Sequence, residues 1–200
     1  MNTPEPPSQV LIPCGSPDTW SCELDADELA RHISWCSVEA LPAKAKGERL
    51  EHLLCWLLTH LPGLVAKHSD IFSSDRSQEI DILFWNEQLA AELPSFGSTI
   101  LAECKNWVRP VDSSDVTWFD WKLRLSSSST GFMLAANGVT MSTDRKRAAA
   151  GILTTALRDV PSRAILVLTL SDVASLKSTE DLRNLIIDKR MKLSAQAPFD

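Results

Sequence analysis

The chain has 200 residues, 44% hydrophobic and 23% charged, with a formal net charge of −6. That length supports one well-buried domain and scarcely two, and the composition is that of an ordinary globular protein. The acidic total excludes a protein that is basic as a whole, so any contact with nucleic acid must rest on local positive charge or on a partner. No apolar run approaches the roughly 20 residues of a membrane span.

Residues 1–18 carry Pro4, Pro6, Pro7, Pro13 and Pro17 and read as a flexible arm rather than a signal peptide. Residues 19–45 form an accessory helical segment, with Leu29, Ile33, Cys36 and Ala40 at helical spacing. The main domain is expected over 46–200. It opens with a helix from about Lys46 to Leu61, closed by Pro62-Gly63. Its stripe is Leu50, Leu54, Leu57, Leu58 and Leu61. At about 100° per residue Glu51 borders that stripe, while Glu48 falls outside it as a solvated acid.

Val65 to Phe72 and Gln78 to Trp85 read as two strands around a polar turn. On the second, alternation places Ile80, Ile82 and Phe84 on one face and Asp81, Leu83 and Trp85 on the other. With both faces largely apolar, the strand is expected to be central and Asp81 buried. Thr99 to Trp107 is the next strand, with Glu103 and Lys105 on one face. A helix capped by Asp112, Ser113 or Ser114 runs to about Leu125. Gly131 to Ala136 is a strand, Ser142 to Val160 a helix, Ala164 to Leu170 a strand covered on both faces, and Thr179 to Leu193 a last helix. This order predicts an α/β fold, a mixed sheet between helices.

Charge inside a half-buried strand is unfavourable unless it is paired or metal-bound. Asp81, Glu103 and Lys105 break the hydrophobic pattern of two neighbouring strands in that way. Two carboxylates and a lysine are also the minimum for metal-assisted phosphodiester hydrolysis. Asp81 and Glu103 supply hard oxygen ligands for Mg²⁺, the Cys104 backbone carbonyl a third, and Mn²⁺ is able to substitute. Lys105 holds water or balances phosphate charge, and Glu51 positions a metal-bound water or completes the shell. The bland alternative is a structural ion pair of Lys105 with Asp81 or Glu103.

The layout resembles the PD-(D/E)XK nuclease superfamily, the restriction-endonuclease-like fold, and is most similar to Mrr-like type IV restriction enzymes. The stretches that carry the likeness are Lys46-Gly47-Glu48-Arg49-Leu50-Glu51, Gln78-Glu79-Ile80-Asp81-Ile82-Leu83 and Ala102-Glu103-Cys104-Lys105-Asn106-Trp107. The likeness covers about Lys46 to Leu170. It implies a restriction-endonuclease-like central sheet, a catalytic set of Glu51, Asp81, Glu103 and Lys105, and a Mg²⁺-dependent endonuclease with a place in bacterial defence against foreign DNA. Ile80 stands where the family's name implies proline.

Lesser candidates for nucleic-acid contact are Lys122, read otherwise as a solvated helix lysine, and Arg145, Lys146 and Arg147. Lys44, Lys46, Arg109 and Arg124 add basic surface. Trp107, Trp118 and Trp121 either stack on bases or, the stronger expectation, pack in the core. The five cysteines show no paired spacing, which suits free thiols in a reducing cytoplasm. A zinc set of Cys22, His32 and Cys36 is weaker than buried free cysteine, because no tight CxxC pair anchors it. DNA is the expected partner ahead of RNA, with targeting supplied by a homo-oligomer or another protein and no membrane involved. The competing readings are a non-catalytic nucleic-acid-binding or assembly subunit of the same fold, and a metal enzyme of another class.

Overall fold

A computed structural model describes residues 23–38, 40–72, 79–87, 96–140 and 149–196. The chain is α/β, a five-stranded mixed sheet flanked by helices. Helices α1 (Ala26–Cys36) and α2 (Ala43–Thr59) come first, then strands β1 (Leu64–Phe72), β2 (Glu79–Asn86) and β3 (Thr99–Lys105). Helix α3 (Ser113–Leu125), β4 (Thr130–Ala135), α4 (Ala149–Arg158), β5 (Ala164–Leu168), α5 (Leu170–Ala174) and α6 (Thr179–Gln196) follow. The spatial order of strands equals their chain order. β1, β2 and β3 pair antiparallel, whereas β3, β4 and β5 pair parallel through helical crossovers.

The helix expected from Lys46 begins three residues earlier, so α2 runs across the boundary drawn between the accessory segment and the main domain. That segment is part of the core too, since Leu24, Leu29 and Cys36 are buried in one cluster with the sheet. The long apolar run ending at Leu170 divides. β5 stops at Leu168, and Thr169 caps α5 in a reciprocal box with Asp172, whose carboxylate also takes the Lys189 ammonium. Residues 1–22, the connection at 88–95 and the start of the helix expected from Ser142 lie outside the described residues. Among the described residues no helix is long and apolar enough to cross a membrane.

Side-chain alternation on β3 assigns its two faces. Asn106, just past the strand, donates its side-chain N–H to the carbonyls of Cys36 and Lys46, so the Cys104–Asn106 face looks toward α1 and α2. The opposite face looks toward α3. Gly131 of β4, level with Leu101, lies so close to that helix that a Cβ would stand 2.7 Å from the Phe119 ring. The missing side chain lets α3 settle on the sheet, with Val116, Phe119 and Leu123 buried beneath it. Behind it, Asp120 takes a 2.6 Å bond from Arg163 Nε, and Asp159 is shared by Arg124 and Arg163.

Filling that space should move α3. Gly131→Ala is expected to destabilise the fold by about 1–3 kcal/mol through overpacking. Adding Phe119→Leu should recover part of the loss. Urea unfolding of the two variants tests this, and a Gly131→Ala protein as stable as the parent would show that α3 is not held by this contact.

Candidate active site

β2 and β3 part company before either ends. Their ladder stops at Ile82 opposite Ala102, while β2 stays paired with β1 as far as Glu79 opposite Phe72. Just beyond the last rung, Asp81 Oδ2 accepts the Cys104 backbone N–H at 2.7 Å. By alternation that N–H faces β2 as the one at Ala102 does, and its ladder partner would have been Ile80. A side-chain carboxylate takes the place of a rung, and the sheet opens there.

Glu103 lies opposite Asp81 in the continued register, on the same face of the sheet. Its two oxygens are both engaged. Lys105 Nζ stands 2.7 Å from Oε1, and Lys122 Nζ stands 2.6 Å from Oε2. Side-chain exposure separates the three, at 4% for Glu103, 5% for Lys122 and 22% for Lys105. Lys105 alone of the two ammonium groups is therefore open to solvent. The structure brings Asp81, Glu103, Lys105 and Lys122 together. The expected solvated lysine at 122 is instead a buried partner of Glu103, with its ammonium turned away from any surface where a phosphate would lie.

The electrostatics follow from this crowding. Burial, reinforced by the Glu103 carboxylate, lifts the Asp81 pKa from its ordinary 3.8 to about 6, against the Cys104 N–H and the two lysines. Burial works to lower the Lys105 pKa, but the carboxylates of Glu103, Asp81 and Asp115 outweigh it, and the net shift is upward. Asp115, in the first turn of α3, is a carboxylate near the site that the sequence reading did not single out. Burial and its neighbour Asp112 raise its pKa, with Lys105 opposing.

Glu51 approaches from the other side of β3. Its charge acts on the Cys104 thiol, whose pKa is pushed well up by burial and then by Asp81, Glu51 and Glu103. The three carboxylates are not gathered into one ligand set. Among the described residues no group of three or more His, Cys, Asp or Glu is placed to hold a metal ion. The pair that does converge still suits Mg²⁺ or Mn²⁺. Such hard ions are commonly held by one or two carboxylates, with water and substrate phosphate completing the shell. Asp81, Glu103 and the Cys104 carbonyl are hard oxygen donors of that kind. An ion sharing Glu103 would compete with two ammonium groups.

The remaining candidates divide. Arg145, Lys146 and Arg147 lie outside the described residues, as does Cys22 of the zinc alternative. His32 and Cys36 are buried on α1. The His32 ring packs 4.9 Å from Trp56 with no hydrogen bond to either nitrogen among the described residues, and burial holds its pKa down to about 4. Cys36 donates its thiol to the Arg49 carbonyl, and burial raises its pKa to about 12. Trp118 and Trp121 are 47% and 48% exposed, so the expected core packing fails for both. They stand on the outer face of α3, whose inner face is already filled by Phe119 and Leu123.

No protein-family model matches the chain, and neither a curated protein nor a solved structure shows significant similarity to it.

A carboxyl whose pKa is higher folded than unfolded binds its proton more tightly in the folded chain. The contribution of Asp81 to stability is therefore greatest in acid and falls as pH rises from about 4 to about 6. Above that window its ionised form is a net burden. Asp81→Asn keeps an oxygen for the Cys104 N–H and removes the charge. It is expected to exceed the parent in stability by about 1–3 kcal/mol near pH 7.5, with the gain gone below about pH 4. Denaturant titrations across that range measure the difference, and a variant weaker than the parent at the upper end would contradict the assignment.

Proposed function

We propose that the chain is a metal-dependent nuclease that hydrolyses phosphodiester bonds, with DNA ahead of RNA as substrate and Mg²⁺ or Mn²⁺ as cofactor. The observation that carries this reading is the placement of Asp81 and Glu103 on one sheet face, at a split between strands, beside a partly exposed lysine. Buried charge of this kind is unfavourable for folding, and such groups concentrate at working sites. The motifs around Glu51, Asp81, Glu103 and Lys105 support a restriction-endonuclease-like nuclease with a part in cytoplasmic defence against foreign DNA. The acidic net charge supports targeting by a second copy or a partner protein that adds positive surface.

On this reading each residue has a separate task. Asp81 and Glu103 would hold a divalent ion, which would supply charge neutralisation at the phosphate and acidify a bound water. Lys122 holds one oxygen of Glu103 from within the core and fixes the orientation of that carboxylate. Lys105 holds the other oxygen and is exposed enough to meet a phosphate oxygen or a water entering from solvent. Asp81 is oriented by the Cys104 N–H, which holds its carboxylate beside that of Glu103.

A second reading has its own observation. Every charge of the Lys105–Glu103–Lys122 triad is already satisfied, as in a purely structural buried network. The chain would then be a non-catalytic nucleic-acid-binding or assembly subunit. Cleavage of circular and linear DNA and RNA, with Mg²⁺, Mn²⁺ or EDTA, separates the two. Glu103→Gln and Lys105→Ala are expected to lower a metal-dependent rate at least about 100-fold, and Lys105→Ala should leave the melting temperature near that of the parent. Variants that cleave as the parent does would sink the assignment. Activity lost only in step with unfolding would favour the structural triad.

A further inference from the structure

Next to the split in the sheet lies an open cleft of about 580 Å³, between the first turns of α2 and the end of β3. Lys46 and Gly47 line it on one side, and Lys105, Trp107 and Arg109 on the other. Lys105 thus belongs both to the charged quartet and to the cleft wall. Its ammonium sits 5.5 Å from the centre of the Trp107 ring, and the Arg109 guanidinium 4.7 Å. Lys46 has no acid partner among the described residues. In a chain of net charge −6 this gathers three cations along one cleft, two of them against the Trp107 ring. The acids that face them are Glu103, Asp81 and Asp115 at Lys105, Asp112 and Asp115 at Arg109, and Glu51 beside Gly47.

Gly47 is the second clue. Glycine is among the least favourable residues inside a helix, and here packing gives no reason for it. A Cβ at that position would meet only the Glu51 carboxylate, at an ordinary 3.6 Å. What the missing side chain leaves clear is the wall of the cleft.

We propose that this cleft holds a single unstacked nucleotide of a nucleic-acid strand, next to the phosphate presented to Lys105. The base lies against Trp107, its phosphate meets Lys46 and Arg109, and the strand passes close over Gly47. Cations around an aromatic ring suit one nucleotide, since stacking needs no particular base and each phosphate contact releases counterions. The volume falls in the range of small-ligand sites, about 300–1,000 Å³, and suits one unpaired nucleotide held within it. A strand held in this way is single-stranded at the point of attack, as at an overhang, a flap or a flipped-out position. This rests on the nuclease reading for the direction of the strand toward Lys105, but the cleft itself is tested without cleavage.

The experiment uses the full chain in EDTA. It measures binding of a fluorescent single-stranded oligonucleotide, a hairpin duplex of the same sequence and a free nucleoside 5′-monophosphate, by anisotropy and calorimetry. The single strand should bind more tightly than the duplex or the mononucleotide. Trp107→Ala should weaken it about tenfold. Gly47→Ala should weaken it as well while raising the melting temperature, which separates a blocked cleft from a damaged fold. Unchanged single-strand binding by both variants, preference for duplex, or mononucleotide affinity equal to that of the strand would each overturn the proposal. Intact, variant-sensitive binding by a chain that cleaves nothing with any metal would overturn the nuclease reading and leave the cleft standing. Cleavage with binding indifferent to Trp107 and Gly47 would do the reverse.

Discussion

Glu103 is buried with two carboxylate oxygens that need partners inside the protein, and that requirement organises the surroundings. A carboxylate taken out of water needs each of its oxygens satisfied. One lysine comes from its own strand and is cheap in conformational terms, since alternation alone puts Lys105 on the same face. The other must cross from a different element. For Lys122 to arrive within 2.6 Å, α3 has to lie close on the sheet. That closeness rests on the absence of a side chain at Gly131, on Phe119 and Leu123 beneath the helix, and on the Asp120–Arg163 bond behind it. The site is thus supported by core packing on one side and exposed through Lys105 on the other.

Asp81 adds a second constraint of a different kind. By accepting the Cys104 N–H it keeps a buried donor from being orphaned where the ladder ends. The carboxylate therefore serves the fold even as its charge opposes it. The same contact fixes the spacing between β2 and β3, which in turn sets Asp81 beside Glu103.

Much of this was legible in the sequence because alternation in strands is strict. The pairing of Asp81 with Glu103 on one face follows from period two and an antiparallel neighbour, both of which the residue pattern around Ile80–Phe84 and Leu101–Lys105 displays. Lys122 was not legible in the same way. It sits at roughly 90° from the centre of the stripe made by Val116, Phe119 and Leu123, a border position on helical geometry. Only the demand of Glu103 for a second cation distinguishes it from a solvated lysine. Glu51 illustrates the converse. Helical spacing correctly placed it at the edge of the core, but which sheet face α2 covers depends on tertiary packing and not on local period. Helix α5 was missed because Ala164–Leu170 is apolar but for Thr169, although Thr169 and Asp172 carry a capping-box signal that divides it.

The parallel register of β3 with β4 has a consequence for how the molecule can change. All four members of the charged quartet lie between residues 81 and 122, on β2, β3 and α3. The chain from β4 onward contributes none of them and works as a buttress, acting through the seat it gives α3. The two stretches therefore answer to different demands. In the first, identity and geometry of particular side chains matter. In the second, volume and patterning suffice, so its sequence is free to drift as long as the seat at Gly131 and the Arg163 anchor are kept. A shuffled or redesigned second half that preserves those two features would carry the same chemistry on a different scaffold.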